Sequence, residues 1–306
     1  MSVGSLKVPT MDDEVLPDRS EAVGSLSPSR AGDFMTCPLL YRFRTIDKLP
    51  ETSTPAAVRG TVVHKVLEDL FDLPAVERTP TRAAEMVAPA WDAVLEADPT
   101  LAEAFGEEGP AIGTWLVSCR QSLERYFSLE DPRRLEPADR ELYVETLLDS
   151  NLLLRGIIDR LDVAATGQVR IVDYKTGNAP GPAFEARALF QMKFYALVLW
   201  RVRGVVPDLL QLIYLGSGEV LRFVPEERDL LAVERKVNAL WTAIARATET
   251  GDWRPRRSAL CGWCSHQELC PEFGGTPPPL PTPVATQEAM RPLPATLAPA
   301  EITLAS

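Results

Sequence analysis

Histidine is nearly missing from this chain: two occur in 306 residues, His64 and His266. A site built from several imidazoles is thereby excluded. Cysteine is sparse as well, at five, and a disulfide scaffold is not expected from so few thiols in a chain of this kind. No long apolar stretch occurs. The longest strongly apolar run, Phe194 to Trp200, is far too short to cross a bilayer, and no apolar core of a secretory signal stands near the first residues. We therefore expect a cytoplasmic protein with no membrane partner. No Gly-x-x-x-x-Gly-Lys-Ser/Thr loop is present, so the chain encodes no phosphate-cradling ATP motor of that type, and unwinding would need a separate helicase or repair protein. Basic residues are outnumbered, with 32 Lys and Arg against 43 Asp and Glu and a formal net charge of −11. This argues against a uniformly basic nucleic-acid coat. A local basic path remains open, because Arg30, Arg42, Arg44, Lys48 and Arg59 follow closely on the acidic start Asp12, Asp13, Glu14, Asp18 and Glu21.

What is present reads as one globular body between two tails. Hydrophobic residues make up 45% and charged residues 25%, the usual balance of a soluble globular domain. Residues 1–22 carry no periodicity and read as a disordered tail. Residues 276–306 are rich in proline and hold no aromatic residue, so they read as a second one. Within 23–275, Ser27-Pro28 is a helix start, and Phe34, Cys37 and Tyr41 share a face that Pro38 must interrupt. A helix carrying His64 follows Arg59-Gly60-Thr61, with Val63, Val66, Leu67 and Leu70 as its stripe. Residues 81–129 read as mostly helical, broken at Pro99 and Pro110. Cys119 falls there as a small core residue. Alternation and β-branched content then place strands near 141–148, 152–163 and 169–175. A helix over 184–203, strands near 209–215 and 219–224, and a helix over 226–249 complete an α/β body with a mixed sheet.

The chemistry concentrates on two of those strands. Asp173 and Lys175 are two apart, so they point to one side of a strand, and Asp159 lies on its neighbour. Taken singly, such an Asp-x-Lys is most simply an ion pair. Two carboxylates beside an ammonium can also hold a hard divalent cation next to a proton-transfer group. That requires Asp159 and Asp173 to share a face. A two-residue turn at Thr166-Gly167 would set Asp159 opposite Tyr174 and defeat it. A three-residue turn over 165–167 sets Asp159 opposite Asp173, and glycine at its last position suits the left-handed conformation needed there. Gln191 and Tyr195, four apart, share one face of the following helix. Asp173 is expected to face solvent, and burial is expected to help Lys175 shed its proton.

The ordered string Arg59-Gly60-Thr61-Val62-Val63-His64, Gly156-Ile157-Ile158-Asp159-Arg160, Asp173-Tyr174-Lys175-Thr176-Gly177 and Gln191-x-x-x-Tyr195 resembles the RecB-like branch of the PD-(D/E)XK nucleases. Within it the likeness is greatest to the iron–sulfur exonucleases exemplified by AddB and the CRISPR-associated exonucleases. The resemblance implies a restriction-endonuclease-like core with an N-terminal helical region, acting as an exonuclease on DNA in repair or recombination. It implies that His64, Asp159, Asp173 and the carbonyl of Tyr174 bind Mg²⁺ or Mn²⁺. Lys175 would orient or help deprotonate the attacking water, while Gln191 and Tyr195 would position the substrate phosphate.

Cys261-x-x-Cys264 and Cys270 gather three soft ligands near the C-terminal end, with Cys37 the candidate fourth from far away in sequence. Zinc accepts four thiolates and stays open on the residues alone. In the iron–sulfur exonucleases this one-plus-three arrangement implies a [4Fe–4S] cluster. His266, inside the group, reads as an exposed loop residue, with replacement of a cysteine ligand as the alternative.

Overall fold

The structure is a computed structural model that describes residues 18–106, 111–282, 286 and 289–291. At its centre lies a six-stranded mixed sheet, made of β1 (Gly24–Leu26), β2 (Asp139–Leu147), β3 (Leu152–Val163), β4 (Val169–Lys175), β5 (Leu209–Tyr214) and β6 (Glu219–Phe223). Helices α1 (Pro28–Thr36), α2 (Pro38–Tyr41), α3 (Pro55–Leu70), α4 (Pro80–Ala97) and α5 (Ile112–Leu129) separate β1 from β2. Helix α6 (Pro182–Arg203) links β4 to β5, and α7 (Glu227–Thr250) follows β6.

Three helices start by the same local device. Ser27, Thr54 and Thr79 each accept the backbone N–H three residues on, and proline follows each cap. That pairing satisfies one orphan donor and removes another. Helix α3 therefore begins at Pro55, ahead of the start after Arg59-Gly60-Thr61 expected from the apolar stripe alone. Cys37 is extended between α1 and α2, so Pro38 opens a new helix. Pro89, by contrast, sits inside α4 without ending it. Pro110 lies outside the described residues.

The sheet contains an opening that positions the site. β2 covers one edge of β3 from Leu153 to Leu161. A strand has two edges, so β1 and β4 must share the other. β1 takes Leu152–Leu154 in parallel, and β4 takes Arg160–Val163 in antiparallel. Among the described residues, 155–159 of β3 are left on that edge without a strand partner. β4 continues in parallel with β5 through Lys175.

Two cores hold the sheet. Leu161, Ile171, Leu210 and Leu212 pack with α1, α6 and α7 residues such as Phe34, Phe194, Leu197 and Val237. Val172, Tyr174 and Ile213 face Val63, Val66, Trp91, Trp115 and Leu123 of α3 to α5. Cys119 is fully buried there, as expected of a small core residue.

The two segments read as tails are ordered in part. Arg19 forms a bidentate ion pair with the buried Glu145. Near the other end, Pro278 accepts a hydrogen bond from Arg42, and Met290 packs into the main core. Polar, proline-rich composition hides such single anchors. Residues 1–17 and 292–306 lie outside the described residues.

Arg160 ties the second core together. Its side chain is 1% exposed and donates to Glu130 at 2.9 Å and to the Tyr174 hydroxyl at 2.5 Å. It also pairs with Asp162 at 3.1 Å. Replacing Arg160 with Met would strand two carboxylates in a low-dielectric core. We expect Arg160→Met to cost about 3–5 kcal/mol of stability, read by urea unfolding. A loss below about 1 kcal/mol would show that Glu130 and Asp162 find other partners.

Candidate metal centre

The site forms where β4 leaves β3. Arg160 pairs with Val172 and Val163 with Val169, and the connection is a three-residue turn with Gly167 at φ +88°. The register is therefore the one that lets the two aspartates share a face. Carried one step further it sets Asp159 across from Asp173, but the strand ladder has already ended. The Asp159 carboxylate supplies the missing partner, accepting the Tyr174 N–H at 2.7 Å.

His64 arrives from α3 on the same peptide. Its Nε2 lies 3.0 Å from the Tyr174 carbonyl. A carbonyl only accepts, so Nε2 carries the hydrogen. Nδ1 then turns toward Asp159 Oδ2 at 3.6 Å and Glu141 Oε1 at 4.0 Å. A lone pair facing two carboxylates is repulsive unless a proton or a cation lies between them.

From the α6 side, Asp173 Oδ2 pairs with Lys175 Nζ at 2.8 Å, and Asp173 Oδ1 accepts from Gln191 Nε2 at 3.2 Å. Gln191 Nε2 also donates to the Tyr195 hydroxyl at 3.0 Å. Gly156 makes this possible, because a Cβ there would sit 2.6 Å from the Tyr195 ring. All seven residues singled out around the motifs, His64, Asp159, Asp173, Tyr174, Lys175, Gln191 and Tyr195, are thus joined by contacts around one point.

Glu141 belongs to the site and was not singled out from the sequence. It stands on β2 opposite Asp159, in a gap between the paired Arg140 and Leu142, with φ +43°. A non-glycine residue in the left-handed region is uncommon, and such strain clusters at functional sites. His64, Glu141 and Asp159 are the one group of three or more His, Cys or acidic residues, among those described, whose ligand atoms all lie within 4.8 Å of one another. Its signal in the sequence is faint: an acidic residue in an otherwise β-forming run.

The electrostatics are those of a site built for added positive charge. Burial, then the charges of Asp159, Glu68 and Asp173, pushes the Glu141 carboxyl up to about 8. Asp173 is 1% exposed, not solvent-facing, and burial raises its pKa despite Lys175. For Lys175, burial acts to discharge the amine, but Asp173 and Asp159 outweigh it and hold the pKa above the ordinary value. The expectation that burial would help Lys175 lose its proton therefore fails, because two carboxylates sit beside it. Carboxylate oxygens, a carbonyl and one imidazole form a donor set that fits Mg²⁺ or Mn²⁺.

The cysteines converge elsewhere. Cys37, Cys261, Cys264 and Cys270 line one cavity of about 250 Å³. The Arg256 N–H points at Cys37 Sγ and the Ser258 N–H at Cys261 Sγ, each at 3.3 Å. His266 is buried rather than exposed. Its Nε2 lies 2.6 Å from Glu51, and its ring meets Phe43 edge-on. The expected loop residue is a packed tie between the cysteine segment and the N-terminal helices.

A model of the PD-(D/E)XK nuclease superfamily matches residues 25–271, and the chain belongs to that superfamily. Its curated relatives include Gene 69 protein of Mycobacterium phage D29, 28% identical over 203 residues, covering 58% of this chain and 70% of that protein. Among solved structures it is similar to the "Putative exonuclease" of Eubacterium rectale, with a TM-score of 0.51 and 12% identity over 82% of this chain and 93% of that one. The latter likeness is one of fold. Among the described residues no helix is long and apolar enough to cross a membrane.

A raised carboxyl has a defined pH consequence. Glu141 keeps its proton in the folded protein between 4.5 and about 8, whereas the unfolded chain releases it at the lower value. The metal-free protein should therefore lose stability as pH rises through that window. Mn²⁺ binds the ionised carboxylates and should raise the melting temperature more near pH 8 than near pH 5, and Glu141→Gln should shrink the gain. A gain that falls with pH would place the cation elsewhere.

Proposed function

We propose that the chain is an Mg²⁺- or Mn²⁺-dependent exonuclease of the RecB-like type, cutting phosphodiester bonds of DNA at single strands or free ends. The observation that carries this reading is the junction of Asp159, His64 and Asp173 around the Tyr174 peptide. His64, Asp159, Asp173 and the second lone pair of the Tyr174 carbonyl would hold the cation, and Glu141 joins them. The cation would lower the pKa of a bound water and offset charge on the phosphorane-like transition state. The rest falls to side chains. Lys175 stays an ammonium, 2.8 Å from Asp173, and acts as a fixed positive charge that orients water and the scissile phosphate. The Tyr195 hydroxyl accepts from Gln191, so its own proton remains to donate to a phosphate oxygen. Burial keeps that phenol protonated. The expected products carry 5′-phosphate and 3′-hydroxyl ends. Work in repair or recombination, beside a separate helicase and in the cytoplasm, follows from the same reading.

The cysteines would hold a [4Fe–4S] cluster rather than zinc. Zinc bonds of about 2.3 Å set four sulfurs roughly 3.8 Å apart, yet no three of these thiols fall in a group within 4.8 Å. A cubane accepts thiolates further apart. The nuclease domain would then run over about 23–275, clamped at both ends.

Asp173→Asn should lower Mn²⁺-dependent cleavage of single-stranded DNA by at least about 100-fold with the melting temperature held within a few degrees. Activity within a few-fold of the parent would overturn the assignment. Anaerobically purified protein should carry iron and sulfide, and Cys37→Ser should lose both; stoichiometric zinc in a colourless protein would identify the wrong metal.

A further inference from the structure

Trp263 is 87% exposed, at the turn Ala259–Trp263 between two cysteines of the cavity. A tryptophan so exposed has no folding role to explain it. Leu260 and Phe273, 38% and 44% exposed, lie on the same cavity rim. The rim is also cationic, in a chain with net negative charge. Arg187 and Arg256 line it, and Arg257 stacks over the Phe273 ring at 5.8 Å. Among the described residues none of these three arginines has a carboxylate in ion-pair range, unlike Arg44, which is held by Asp33 and Glu51. Arg187 donates to the Gly32 carbonyl at 2.8 Å, and Arg256 to that of Met35 at 2.8 Å. Both are thus fixed in place with charge to spare. Glu272 and Asp33 are opposing charges on the rim; Asp33 is paired with Arg44 and also feels the charge of Arg187.

One helix joins this surface to the metal centre. Arg187 and Gln191 stand one turn apart on α6, about 5–6 Å between Cβ atoms. Gln191 touches Asp173, while Arg187 reaches the cysteine cavity. An exposed indole beside guanidinium groups with no carboxylate in ion-pair range matches what an unpaired base and its phosphate need: a stacking plane and cations along the backbone. Duplex DNA would keep its bases from the indole.

We propose that the rim formed by Trp263, Phe273, Arg187, Arg256 and Arg257 is a single-stranded DNA subsite. It holds the strand by stacking a base on Trp263 and leads it along α6 to the metal centre. This rests on the nuclease reading above, and the experiment keeps the two apart. Binding of fluorescein-labelled oligothymidylate to the full chain is followed by anisotropy in EDTA, where no cleavage occurs. Trp263→Ala should weaken binding about 5- to 100-fold, and Trp263→Phe should restore most of it. Arg257→Gln should lower the slope of log affinity against log salt by about 0.7. Unchanged affinity in Trp263→Ala, with an unchanged melting temperature, would overturn the subsite and leave the rim as a protein contact. Hydrolysis of bis(p-nitrophenyl) phosphate by the parent protein with Mn²⁺ tests the nuclease reading independently, since that small diester offers no strand to bind.

Discussion

An opening in one strand edge governs this molecule. Between the end of the β1 pairing and the start of the β4 pairing, five residues of β3 have no neighbouring strand on one side. Buried backbone groups must still be satisfied. Tyr174, beyond the last rung, gives its N–H to Asp159 and has its carbonyl met by His64. Two candidate metal ligands are therefore also the groups that complete the sheet. Their side chains are held in place by the hydrogen-bonding needs of the main chain, without a loop to position them.

The same economy costs electrostatic strain. Glu141, Asp159 and Asp173 crowd a partly dry pocket, and the first and last are driven toward their neutral forms. Lys175 offsets part of that charge, while the ionic web of Arg160, Glu130 and Asp162 lies behind Tyr174 and keeps it still. A cation bound there would relieve that charge, so stability and binding would be linked through the same carboxylates.

The second organising contact joins the two ends of the body. Cys37 sits at the break between α1 and α2, and the other three thiols come from short turns after α7. His266 and Glu51 repeat that tie without sulfur. Arg187 then connects this clamp to α6, so the cysteine region and the metal centre share one helix.

Much of this was determined by local sequence. Ser-Pro and Thr-Pro pairs mark helix starts because capping is a contact within a few residues. Gly167 selects the three-residue turn, and with it the register that brings Asp159 toward Asp173, because only a left-handed residue closes that turn cheaply. Asp173 with Lys175 and Gln191 with Tyr195 were legible because their spacing matches strand and helix periods, and Asp159 because its run reads as the adjacent strand; His64 was singled out by the resemblance to the RecB-like nucleases. Glu141 was not, since its backbone turns left-handed only because the sheet opens beside it. Nor were the burial of Asp173 and His266, the protonation of Lys175, or the anchoring of Met290, each set by what packs against it from distant parts of the chain. Sequence by itself determined the short-range geometry and which residues are the candidate ligands. Tertiary structure alone decided burial, charge state and the eighth member of the site, because these depend on neighbours that periodicity cannot name.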